Sequence, residues 1–173
     1  MGKLWQKKNE LNKQVELFTV GDDYLLDCEL VKYDCLGSIA HAKMLGKIEI
    51  LTHEEVNQIV SVLQQIIESG DFEIKVEQED CHTAIENYLT EELGELGEKI
   101  HTARSRNDQV LTALRLYYKD KIKECGNTVN KWIRVLEQLA ERDGDILMPG
   151  FTHMRKAMPS SVALWCGAFI ESA

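Results

Sequence analysis

The run VLTALRLYYKDKIKECGNTVNKWIRVLEQLA, Val110–Ala140, decides the fold. Its apolar residues Val110, Leu114, Tyr117, Ile122, Cys125, Val129, Trp132, Leu136 and Leu139 recur in steps of three to five, the spacing of one helical face. At 1.5 Å per residue the helix reaches about 45 Å, longer than a small domain needs. Helices of that length belong to bundles. Gly126 is a point where it can bend, and Asp143-Gly144-Asp145 predicts its end.

The flanking sequence is also helical. Thr52 and Glu55 have the spacing of a capping box, and Val56, Ile59, Val60, Leu63, Ile66 and Ile67 then keep helical period up to Gly70. A helix is predicted from about Asp23 to Leu45, with Leu26, Leu30, Tyr33, Ala40 and Met44 inward. Another runs from Cys81 to Leu93 and buries Ile85, Tyr88 and Leu89. Phe72, Ile74 and Val76 alternate with charged residues, which allows at most a short strand or an extended link. After the long helix, Pro159-Ser160-Ser161 predicts a new start, with Val162, Trp165 and Phe169 on the buried face. The expected fold class is all-α: an amino-terminal helical domain over residues 1–108, then the start of a central helix bundle over residues 109–173. The apolar period still runs at Ala173 without a capping signal, so further bundle helices are expected beyond it.

Composition excludes several functions. A net charge of −9 disfavours a phosphate backbone, so no nucleic-acid partner is expected. No apolar run approaches the roughly 20 residues that span a bilayer. Met1 leads into a charged segment without a signal-peptide core, so no membrane partner and a cytoplasmic location are expected. The five cysteines, Cys28, Cys35, Cys81, Cys125 and Cys166, are odd in number and have no Cys-x-x-Cys spacing. They read as reduced packing residues, and no metal site is expected.

The chemistry is concentrated just before the long helix. Lys99-Ile100-His101-Thr102-Ala103-Arg104-Ser105-Arg106-Asn107-Asp108-Gln109 offers two guanidinium groups, two hydroxyls, an imidazole and amides, with Asp108 its only acid. Arginine grips carboxylates with two parallel N–H donors, and a helix start adds unpaired N–H groups and positive dipole. The segment is suited to holding an anion. The plain alternative is a charged turn with an Asn/Asp cap.

These residues resemble the signature loop of the argininosuccinate lyases, in the fumarase/aspartase superfamily, where Gly is usual at the position of Ala103. Met148-Pro149-Gly150-Phe151-Thr152-His153-Met154-Arg155-Lys156-Ala157-Met158-Pro159 resembles a second segment of the same family, which brings a Thr and a His into the active site. Glu79-Asp80-Cys81-His82-Thr83-Ala84-Ile85-Glu86 and Asp34-Cys35-Leu36-Gly37-Ser38-Ile39-Ala40-His41 fit its amino-terminal region. Four matches in order and at sensible spacing make a specific signal.

The resemblance implies a cofactor-free β-elimination of argininosuccinate to arginine and fumarate, in arginine biosynthesis. It implies His153 as a catalytic residue of proton transfer, and Arg104, Ser105, Arg106, Asn107 and Thr152 as substrate-binding residues. It further implies a homotetramer whose active sites draw loops from three subunits. The family's catalytic serine lies on a Gly-Ser-Ser-x-Met-Pro loop that these 173 residues do not contain, so on their own they are expected to be inactive. His82 and His101 are expected to support the site or the packing without touching substrate, and His41 and His53 to take surface or helix-start positions. Two alternatives stay open: a lyase of another succinyl-amine such as adenylosuccinate, and a non-catalytic structural protein of crystallin type.

Departures from the pattern mark uncertain contacts. Gln6-Lys7-Lys8 follows Lys3-Leu4-Trp5 where the family has glycines and arginine. Thr19 stands where many members carry a serine, and Arg155 where most carry glutamine. The charge of Arg155 can either clamp a carboxylate or spoil an amide contact.

Overall fold

The computed structural model describes residues 13–173, so the departures at Lys3 to Lys8 lie outside the described residues. The chain divides into two compact units, one ending at Tyr118 and one spanning Lys119–Ala173.

The first unit contains α1 (Lys13–Val20), α2 (Asp23–Leu26), α3 (Val31–Lys47), α4 (His53–Ser69), α5 (Cys81–Leu93), α6 (Glu95–Glu98) and the start of α7 (Arg106–Asp143). Helix α4 starts and stops where its residues require. The Thr52 hydroxyl accepts from the Glu55 N–H at 3.2 Å, and the Thr52 N–H donates to the Glu55 carboxylate at 2.7 Å. Gly70 ends the helix in the left-handed region at φ 71°. Its apolar face, Val56, Ile59, Leu63 and Ile66, is buried with Cys35, Ala42 and Leu45 of α3 and Ala84, Ile85 and Leu89 of α5. Helix α5 has the predicted bounds, with Asp80 as its cap, accepting from the Thr83 N–H at 2.7 Å.

The helix predicted from Asp23 to Leu45 is instead broken into α2, a 3-10 turn at Asp27–Glu29 and α3. A tertiary contact accompanies the break: the Asp27 carboxylate accepts the Cys81 N–H at the start of α5, at 3.2 Å. The inward face also differs. Leu26 and Met44 are exposed, as is Ala40, whereas Val31, Tyr33, Asp34, Cys35, Ser38, Ala42 and Leu45 are buried. Two polar residues sit on the buried stripe, so hydrophobicity does not mark its centre. Phe72 to Lys75 form the extended link rather than a strand, with a 3-10 turn at Val76–Gln78.

Helix α7 begins at Arg106, four residues before the apolar period, and passes Gly126 without interruption. The second unit then makes a two-stranded antiparallel hairpin, β1 (Leu147–Thr152) with β2 (Arg155–Ser161). The sequence pattern does not announce it, because most of its side chains are exposed and no apolar alternation develops. Pro159 pairs with Pro149 inside this hairpin and is not the first turn of a helix. Helix α8 (Val162–Ser172) starts instead from Ser161, whose hydroxyl accepts the Leu164 N–H at 3.1 Å. Trp165 and Phe169 are partly exposed, with ring centroids 4.9 Å apart, and Cys166 is the buried residue of α8. The described helices carry the fold, and the hairpin is its small β element.

Candidate active site

The segment 102–109 turns a corner and becomes a helix. A 3-10 turn at Lys99–His101 ends at Thr102, and Ala103 follows in the left-handed region at φ 56°. A side chain is strained there, which gives a physical reason for glycine at this position in the family it resembles. Ser105 then caps α7: its hydroxyl accepts the Asn107 N–H at 3.2 Å and its carbonyl accepts the Gln109 N–H at 3.2 Å.

Arg106 opens α7 and turns toward the start of α5. Its Nη1 donates to both carboxylate oxygens of Asp80, at 2.7 and 2.9 Å, and its Nη2 donates to the Thr83 hydroxyl at 3.0 Å. These contacts use three of the five N–H donors of a guanidinium, and the side chain stays about a third exposed. Two donors therefore remain for an incoming anion. Asn107 and Ser105 are exposed on the same turn, at the positive end of the helix dipole.

Arg104 faces the other way. Its Nη1 donates to the Ser38 hydroxyl at 2.8 Å, and its Nη2 lies 3.5 Å from the Asp34 carboxylate. Burial pushes its guanidinium pKa down, and Asp34 and Glu86 push it back up. Asp34 also accepts the Gln109 amide at 3.0 Å and lies 3.2 Å from Nδ1 of the buried His82. This network, with the Asp80 and Thr83 contacts, is what the sequence reading missed. Its available signals were the i, i+4 pair Asp34 and Ser38 and the Asp-x-x-Thr cap at Asp80.

The other histidines are placed by their neighbours. His41 is half-buried, with Nε2 2.9 Å from the Thr102 carbonyl, rather than a surface residue; burial lowers its pKa. His53 is the first residue of α4, and His101 lies 3.6 Å from Glu86.

Asp27, Cys81 and His82 have potential metal-ligand atoms within 4.8 Å of one another. The Cys81 N–H donates to the Asp27 carboxylate at 3.2 Å, and the Cys81 Sγ lies 3.7 Å from Nδ1 of His82. Burial, then Asp34, Asp27 and Asp80, push the Cys81 thiol well above its ordinary range.

In the second unit, Thr152 pairs with Arg155 to close a two-residue turn made by His153 and Met154, both at positive φ, 47° and 62°. Turns of this shape normally take Asn-Gly, so His153 and Met154 hold a conformation more usual for those residues. A register shift at Gly150 sits beside it. A Cβ on Gly150 would come within 2.9 Å of the Met158 carbonyl, so this close approach requires glycine.

A family model described as lyase matches residues 6–173. The chain belongs to the lyase family. Among members of the lyase family, it is 53% identical over 173 residues to an argininosuccinate lyase of Thermotoga neapolitana, covering 98% of this chain and 44% of that protein. It is 47% identical to an argininosuccinate lyase of Bacteroides fragilis, covering 98% of this chain and 39% of that protein. It is 39% identical over 172 residues to one of Sorangium cellulosum, covering 98% and 40%. The chain thus spans about two fifths of the length of the curated lyase relatives it matches. Among the described residues no helix is long and apolar enough to cross a membrane.

Proposed function

We propose that the whole protein is an argininosuccinate lyase, a carbon–nitrogen lyase that eliminates arginine from argininosuccinate and leaves fumarate. The observation that carries this reading is Arg106. It stands at a helix start with its plane fixed by Asp80 and Thr83, two N–H donors free, and Asn107 beside it.

The elimination removes a proton from the carbon beside one carboxylate, stores the electron pair as added charge on that carboxylate, and expels the guanidinium nitrogen as it takes up a proton. A bidentate arginine and helix N–H groups are suited to the substrate carboxylate on which charge builds. In this reading Arg106, Asn107 and Ser105 hold the fumarate-derived part, Thr152 donates a further hydrogen bond, and His153 takes part in proton transfer. No redox or electrophilic group is required by this chemistry. Arginine biosynthesis, a cytoplasmic location and a homotetramer belong to the same proposal, as what the family resemblance implies.

The test is a side-by-side assay of the whole protein for fumarate release from argininosuccinate and from adenylosuccinate. The double arginine of the signature segment favours argininosuccinate. Release from adenylosuccinate alone would move the protein to another lyase, and release from neither would favour the structural alternative.

A further inference from the structure

We propose that Asp34, which has no place in the binding scheme above, is a positioning residue for the substrate-holding segment. This rests on the functional reading just given. Asp34 is fully buried, and a buried carboxylate persists only with partners that offset its lost hydration. Its partners come from two places that bracket the segment: Arg104 on one side of Ser105 to Asp108, and Gln109 on the other. A single carboxylate on α3 therefore pins both ends of the turn that carries Ser105, Arg106 and Asn107.

The bracket is closed by neighbours. Ser38, one turn along α3, takes the second arm of Arg104 at 2.8 Å, and His82 of α5 sits 3.2 Å from Asp34. The same helix α5 holds Arg106 through Asp80 and Thr83, so the front and back of the segment are referenced to one helix. Displacements of about 1 Å at a reacting centre can cost about 100-fold in rate, which is why such a bracket matters. Arg104 is then a strut and not a substrate ligand.

Asp34→Asn keeps the shape and removes the charge. In the 173-residue chain, amide hydrogen exchange at residues 109–113 is expected to speed up at least tenfold, while residues 56–66 of α4 keep their rates. In the whole protein, kcat/KM for argininosuccinate is expected to fall about 10- to 100-fold, with most of the loss in kcat. Gln109→Met, which leaves Asp34 its other partners, gives a smaller change in the same direction and serves if Asp34→Asn does not fold. Unchanged exchange at 109–113, equal acceleration across α4 and α7, or altered exchange with unaltered kinetics would each overturn the proposal. If the unmodified whole protein turns over no argininosuccinate, the functional reading fails, while the exchange experiment still decides whether Asp34 fixes the segment.

Discussion

Arg106 and Asp80 form the two-oxygen ion pair that joins the start of α7 to the start of α5, with Nη1 2.7 and 2.9 Å from the two carboxylate oxygens. Asp80 has a second duty, capping α5 through the Thr83 N–H. Asparagine is as good a cap as aspartate but lacks the charge that aligns the guanidinium. Asp80→Asn is therefore expected to lower kcat/KM of the whole protein about tenfold and to move Tm by less than about 3 °C. Arg106→Ala should cost about 2 to 4 kcal/mol of transition-state stabilisation, and Arg106→Lys should recover little of it, since lysine has no planar fork. Unchanged kcat/KM in Arg106→Ala would reduce the segment to a charged turn.

Ala103 sits at φ 56°, where a Cβ is strained. Ala103→Gly relieves about 1 to 2 kcal/mol of strain and loses about 0.4 to 1 kcal/mol to the freer unfolded chain. A net gain of about 0 to 1.6 kcal/mol is expected, seen as a rise in Tm of up to about 6 °C. A lower Tm in a thermal melt would contradict the strained placement.

Glu55 links the α4 capping box to Lys99, whose Nζ lies 2.6 Å away. The hydrogen bond from Lys99, then those from Thr52, hold its carboxyl down at about 2. A carboxyl depressed on folding adds stability that is present above its ordinary pKa and lost as pH falls toward the folded value. Part of the acid loss of stability between about pH 5 and 2 should disappear in Glu55→Gln, measured as urea midpoints across that range. Parallel profiles for the two proteins would refute the assignment.

In the second unit, Ile122, Trp132, Val135, Leu164, Trp165 and Phe169 are exposed on α7 and α8. Apolar surface of more than a few hundred Å² seldom stays uncovered in solution. The 173-residue chain is expected to self-associate through these helices, so sedimentation at low micromolar concentration should give a dimer or larger. A stable monomer near 19.8 kDa would contradict this.

The legible parts of the sequence were those where one physical rule acts alone. The capping box and apolar stripe of α4, and the period of α7, needed no tertiary information. The inner face of α3 was illegible because Asp34 and Ser38 occupy it for reasons set by Arg104 and Gln109, far along the chain. The hairpin at Leu147–Ser161 was illegible because its exposed strands leave no alternation to read. At the candidate site, the concentration of hydrogen-bond donors at residues 104–107 was visible in their chemistry. The inward turn of Arg104 was not, because residue type does not show which way a guanidinium points.

His153, on its positive-φ turn, gives the most direct test of the central claim that the whole protein is an argininosuccinate lyase built around these residues. The measurement is formation of fumarate and arginine from argininosuccinate by the whole protein and by its His153→Asn variant. Equal amounts of the two products, formed at least about 100-fold more slowly by the variant, are predicted, since proton transfer by a placed side chain contributes about 10²- to 10⁴-fold. No product from the unmodified protein, or an undiminished rate in His153→Asn, would contradict the account.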